Sequence, residues 1–103
     1  MKMKIAKKAT VLLSALMLSG LTFAQQKPAE IKVGITTFLS GPASVFGVPA
    51  KAAAELMIDD INAKGGIAGV KISPVFIDEG LGGDKLLSEY RRVVQDQGVR
   101  TMF

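Results

Sequence analysis

The sequence predicts an α/β fold, the N-terminal part of a doubly wound parallel sheet with the spatial strand order 2-1-3. Three observations predict it. Apolar residues alternate at Ile31, Val33 and Ile35, the period of a strand. Two later runs place apolar residues at helical spacing, each closed by glycine. Pro74 lies inside the second strand-like run, and a proline cannot donate to a sheet ladder, so that strand belongs at an edge. Strand, helix, strand, helix, strand is the order of parallel βαβ units with right-handed crossovers. With strand two at an edge, strand three returns past strand one and the two helices fall on opposite faces. A crevice then opens at the carboxyl ends of strands one and three, the switch point where open α/β sheets bind ligands.

The first 24 residues, MKMKIAKKATVLLSALMLSGLTFA, read as a secretory signal peptide. Lys2, Lys4, Lys7 and Lys8 form the basic region, Ala9 to Leu18 the apolar region, and Thr22-Phe23-Ala24 the cleavage site, with the exported chain beginning at Gln25. The apolar stretch is shorter than the ~20 residues of a membrane span and is interrupted by Thr10 and Ser14. No cysteine occurs anywhere, which excludes a lipid anchor at the cleavage site and any disulfide, so core packing and hydrogen bonds must hold the fold.

Removing the leader changes the charge. The chain has 13 basic and 9 acidic residues, a net +4, but the leader holds four of the lysines and no acid. Nine basic and nine acidic residues remain, and the exported part is neutral. The excess of positive charge is a targeting feature and gives no support to a nucleic-acid partner or an anionic membrane surface.

Residues 25 to 30, QQKPAE, form a short polar lead-in. Strand one runs from Ile31 to Thr37 or Phe38, with Lys32, Gly34 and Thr36 on its other face. Leu39 to Gly47, LSGPASVFG, reads as a loop, longer than the usual ~2 to 6 residues of a strand-to-helix connection, and long loops of this kind are often functional. The first helix is expected from about Val48 to Lys64, with Pro49 in its first turn, Ala50, Ala53, Ala54, Met57 and Ile61 on its apolar side and Gly65-Gly66 as its stop. Strand two is expected over Val70 to Asp78. A second glycine-rich loop, Glu79 to Gly83, precedes a helix capped by Asp84, carrying Leu86, Leu87, Tyr90, Val93 and Val94 on one side and ending near Gly98. Val99 to Phe103 begins strand three.

Catalytic side chains are scarce. With no histidine and no cysteine, Ser-His and Cys-His nucleophile pairs and the common transition-metal sites are unavailable, and the chain reads as a non-enzyme with no cofactor. Asp59-Asp60 and Asp78-Glu79 are adjacent carboxylates read as solvated surface. Neither GxGxxG nor GxxxxGK[ST] follows strand one, which argues against a nucleotide site. In the loop after strand one, Phe46 has two readings: a hydrophobic staple packing the helix onto the sheet, or the aromatic wall of a small-molecule pocket. Ser40, Gly41 and free N–H groups at the helix start can receive a carboxylate, or Ser40 can simply cap its own turn.

The segments VGITTFLSGPASVFGVPAKAAAELMIDDINAKGGIAGVKISPVFIDE and GGDKLLSEYRRVVQDQGV resemble the start of a leucine/isoleucine/valine-type periplasmic substrate-binding protein of an ABC importer. The resemblance rests on the SGP loop with its aromatic-Gly pair, the helix ending DDINAKGGIAGVKI, and the acidic end of strand two. It spans residues 31–103 and implies two α/β lobes that close about a hinge on an amino acid or related small carboxylate, delivered to a permease in the inner membrane. It also implies that Phe46 lines the ligand mouth where leucine-type members carry tyrosine, which suits a less polar ligand group. The family's other ligand-fixing groups follow strand three or come from the second lobe. The chain is therefore expected to be the opening of one lobe from a truncated reading frame, with Val99, Met102 and Phe103 as a raw edge and residues 25 to 103 unable to form a stable monomer. The ligand-binding domain of a membrane sensor, which can share this fold, is the alternative.

Overall fold

The computed structural model describes residues 26–103, so the expected leader and its cleavage after Ala24 lie outside the described residues. Three strands, β1 (Glu30–Thr37), β2 (Lys71–Asp78) and β3 (Thr101–Met102), form a parallel sheet in the order β2-β1-β3. Helix α1 (Ser44–Ala63) connects β1 to β2, and a 3-10 turn (Glu79–Leu81) with helix α2 (Gly83–Gln95) connects β2 to β3. The expected fold class and strand order are those observed.

The register pairs Val33 with Pro74, Gly34 with Val75, Ile35 with Phe76 and Thr37 with Asp78. On one face lie Val33, Ile35, Ile72 and Phe76, covered by α1, with the Lys51 ammonium 4.8 Å above the Phe76 ring. On the other lie Val75 and Ile77, covered by α2 through Leu86, Tyr90 and Val93. Ile77, Val93 and Val99 are its fully buried centre. The alternation that reveals β1 therefore marks two covered faces, as a parallel sheet requires. Its less apolar side is accommodated by Gly34, where a Cβ would collide with the Met102 side chain, and by Thr36, whose Oγ1 accepts from the Tyr90 hydroxyl at 3.0 Å.

At the outer edge of β2 the Asn62 side chain acts as a strand substitute. Its Oδ1 accepts the Ile72 N–H at 2.8 Å, and its Nδ2 donates to the Ile72 carbonyl at 2.8 Å. By the two-residue period Pro74 presents its nitrogen to that same outer side, where no ladder bond is lost.

Several boundaries differ from expectation. Helix α1 begins at Ser44, four residues before Val48, because the Ser44 N–H donates to the Gly41 carbonyl at 3.1 Å and winds the chain before the apolar period starts. Pro49 thus stands in the second turn, where it removes one intrahelical bond, and Phe46 and Gly47 are helical. Helix α2 starts at Gly83, so Asp84 lies in the first turn, where its charge suits the helix dipole, and caps nothing. The expected edge at β3 is the outer strand of the sheet, but the Val99 side chain is not bare there: it is 1% exposed, sealed by Ile77 and Val93. Met102 packs on the same core, and of the three only Phe103, 78% exposed, is bare. The stop after α1 is as expected, with Gly65 and Gly66 at φ +105° and +77° and the Gly66 N–H donating to the Ile61 carbonyl at 2.9 Å.

Candidate functional site

The loop from Phe38 to Ala43 leaves the carboxyl end of β1, beside the point where β3 pairs with β1 on the side opposite β2. There the Thr36 N–H donates to the Phe103 carbonyl at 2.7 Å and the Phe103 N–H to the Gly34 carbonyl at 2.8 Å. The crossover thus reverses at β1, and the loop stands at the rim expected of a ligand crevice.

The shape of the loop is set from outside it. Asp78, level with Thr37 in the neighbouring strand, accepts on its Oδ1 the N–H groups of Leu39 at 2.8 Å, Ser40 at 3.2 Å and Gly80 at 2.9 Å. The Ser40 hydroxyl and these N–H groups favour the anion and hold the Asp78 carboxyl below the ordinary carboxylate range, against a smaller opposing effect of desolvation. Gly80 lies so close to Ser40 that a Cβ would stand 2.7 Å from the Ser40 carbonyl oxygen. The solvated-surface reading therefore fails for Asp78, while Glu79 beside it is exposed. Sequence reasoning missed this residue. The signal for it was Asp-x-Gly at a strand end, the pattern of a side chain that bonds the backbone two residues on.

Ser40 is exposed and tied through its N–H to Asp78; it takes part in a bridge to β2 rather than only in its own turn. Gly41 follows at φ +73° with open space around it, and its carbonyl anchors the first turn of α1. Phe46 lies in that first turn and is 78% exposed, so the staple reading is overturned: a ring so exposed does not pack the helix onto the sheet. The contact that seats α1 is made instead by Gly47, which is buried. A Cβ there would overlap the Phe38 carbonyl oxygen and stand 2.5 Å from the Phe38 carbonyl carbon. Expected free donors at the helix start are mostly used, since Phe46 and Gly47 both donate to the Ala43 carbonyl and Ser44 donates to Gly41.

The arrangement is therefore an open rim: a pinned Ser-Gly-Pro turn, then a helix whose first turn exposes an aromatic ring. Charged side chains are absent from Leu39 to Ala50, so the rim offers apolar surface, a hydroxyl and backbone groups to a ligand. A wholly apolar groove of about 360 Å³, lined by residues including Val33, Ile35, Met57 and Phe103, lies on the α1 face and contains none of Ser40, Gly41 or Phe46. Among the described residues no cluster of carboxylates is arranged to hold a metal ion.

Comparison with known proteins places this geometry. Residues 30–103 match a family described as periplasmic binding protein. A Leu/Ile/Val-binding protein of Rhizobium johnstonii is 34% identical over 88 residues, covering 85% of this chain and 24% of that protein. A Leu/Ile/Val/Thr-binding protein of Salmonella typhimurium is 38% identical over 82 residues, covering 80% of this chain and 21% of that protein. A crystal structure described as a candidate branched-chain amino acid ABC transporter from Silicibacter pomeroyi superposes with a TM-score of 0.63 at 26% identity, covering 71% of this chain and 19% of that one. The chain spans about a fifth to a quarter of the length of these relatives. With the parallel β2-β1-β3 sheet and a family match that begins at the first residue of β1, the chain belongs to the periplasmic binding protein family.

Proposed function

We propose that this chain supplies the opening part of the ligand-binding lobe of an extracytoplasmic solute receptor for an ABC importer. The receptor captures a branched-chain amino acid or a related small carboxylate and hands it to a permease in the inner membrane. The observation that carries the reading is Phe46, a large aromatic ring 78% exposed on the first turn of α1, at the rim of the β1/β3 switch point. Val45 and Val48, 67% and 52% exposed, flank it on the same helix start, so the rim presents a small contiguous apolar patch that a partner can cover. A ligand or a closing second lobe does so. Ser40 and Gly41, on the same loop, are the polar counterpart: Ser40 turns its donors to Asp78 and shapes the turn, while the Gly41 N–H faces the carboxylate end of the ligand. Similarity to proteins named for binding Leu, Ile and Val supports the substrate class. Phenylalanine has no hydroxyl to donate, so the ligand group against Phe46 is apolar, an aliphatic or aromatic side chain.

The test is calorimetric titration of the full-length protein with L-leucine, L-isoleucine and L-valine, then of Phe46→Ala. The variant loses about 1 to 3 kcal/mol of binding through lost apolar burial. Unchanged affinity refutes the assignment of Phe46. Export completes the reading, and mass spectrometry of the secreted product should give a mature start at Gln25; a retained leader would refute that part.

A further inference from the structure

We propose that Asp78 is the positioning residue of the ligand loop: from the end of β2 its carboxylate holds the backbone of Leu39 and Ser40 in the shape that receives the ligand. The inference rests on the reading of Ser40, Gly41 and Phe46 as the ligand rim.

Three N–H groups converge on one oxygen. Those of Leu39 and Ser40, at 2.8 and 3.2 Å, belong to the loop after β1, and that of Gly80, at 2.9 Å, belongs to the turn after β2. The carboxylate therefore ties two consecutive βα connections together across the ends of paired strands, from residues 38 and 39 positions apart in the chain. The loop has little else to hold it. Gly41 adopts φ +73° with open space around it, and the loop's other backbone ties, from Ser44 to Gly41 and from Phe46 and Gly47 to Ala43, all lie at its helix end, away from Leu39 and Ser40. Among the described residues Asp78 forms no ion pair, so the N–H dipoles and the Ser40 hydroxyl are what stabilise its charge. Gly80 completes the device, because a side chain there would strike Ser40 and push the loop away from Asp78. A loop fixed before binding loses less conformational freedom on binding, and the gain appears as affinity. Asp78 acts through the loop and need not touch the ligand.

The experiment compares the full-length protein with Asp78→Ala, Asp78→Asn and Phe46→Ala by residue-resolved amide exchange and by calorimetry with L-leucine. Asp78→Ala should speed exchange at Leu39 and Ser40 by about ten-fold or more, as expected for losing charge-assisted bonds. The Thr36 amide, bonded to Phe103, should keep its rate. Affinity should fall about ten-fold, and Asp78→Asn, which keeps an acceptor oxygen, should recover most of both changes. A residue serving only general stability would lower the melting temperature yet leave the affinity of the folded protein intact. Unchanged exchange at Leu39 and Ser40, or unchanged affinity of folded Asp78→Ala, overturns the inference. If Phe46→Ala weakens binding while Asp78→Ala does not, this inference alone falls; if both are silent, the assignment of the rim falls with it. Should Asp78→Ala not fold, Asp78→Ser, whose hydroxyl is too short to reach Leu39, carries the same expectations.

Discussion

Replacing Gly47 with alanine tests the seating of the ligand rim more sharply than any other single change. Gly47 is buried in the first turn of α1, and its α-carbon faces the backbone of Phe38 at the end of β1. An added methyl would overlap the Phe38 carbonyl oxygen and come within 2.5 Å of its carbon and 2.8 Å of its nitrogen. Ordinary contact begins near 3.4 Å, so to clear the oxygen the helix start or the strand end must retreat by well over ~1 Å. Neither is a flexible side chain, so the strain cannot be relieved by changing a rotamer. Overpacking of this kind costs about 1 to 3 kcal/mol, and backbone against backbone puts Gly47→Ala near ~3 kcal/mol. The assay is urea unfolding of the full-length protein followed by circular dichroism, with Gly41→Ala as the comparison. Gly41 has open space but φ +73°, so its substitution costs only the conformational penalty of about 1 kcal/mol. If Gly47→Ala costs no more than Gly41→Ala, the close approach of α1 to β1 is not what fixes the helix, and the reasoning fails.

Asn62→Ala removes both bonds to the Ile72 backbone and should cost about 2 kcal/mol in the same unfolding assay, whereas a loss below about 0.5 kcal/mol would mean that water replaces the amide without penalty. Ala68, at φ +52° beside Gly69 at +79°, occupies a turn that favours Asn-Gly, so Ala68→Asn should stabilise by about 0.5 to 1 kcal/mol; a decrease in the unfolding midpoint would refute this. The pKa of Asp78 is lowered by folding, so its contribution is present above the unfolded carboxylate value and is lost as pH falls through the folded one. Acid titration should therefore shift the Leu39 and Ser40 amide resonances together, at a pH below the ordinary aspartate range, and independent or absent shifts would contradict the shared carboxylate.

Strand β1 was legible because its alternation survives even with both faces covered, and β2 because Pro74 could be tolerated only at an edge. The glycine stop after α1 was equally plain, since positive φ at Gly65 and Gly66 is the local chemistry of a helix end. The start of α1 was not legible: the turn that begins it is closed by the backbone of Gly41 and Ser44, and no side chain advertises it. Val99 looked bare because its cover, Val93 and Ile77, comes from elements that meet only in three dimensions. Asp78 was misread for a similar reason. An acid next to another acid looks solvated in one dimension, and its two most distant partners are amides, which carry no residue identity. Ser40, Gly41 and Phe46 could be nominated from loop length and position, but the exposure of Phe46 that decides against a staple needs coordinates.

The Asn62 amide and the ring of Pro74 make the outer flank of the sheet chemically deaf. Of the outward-facing N–H positions along β2, that of Ile72 is occupied and that of residue 74 does not exist. A stray extended peptide finds donors on that side only at Phe76 and Asp78, so strand addition is disfavoured along the first half of β2. A sheet with one such side offers a neighbouring strand little to copy along the first half of β2.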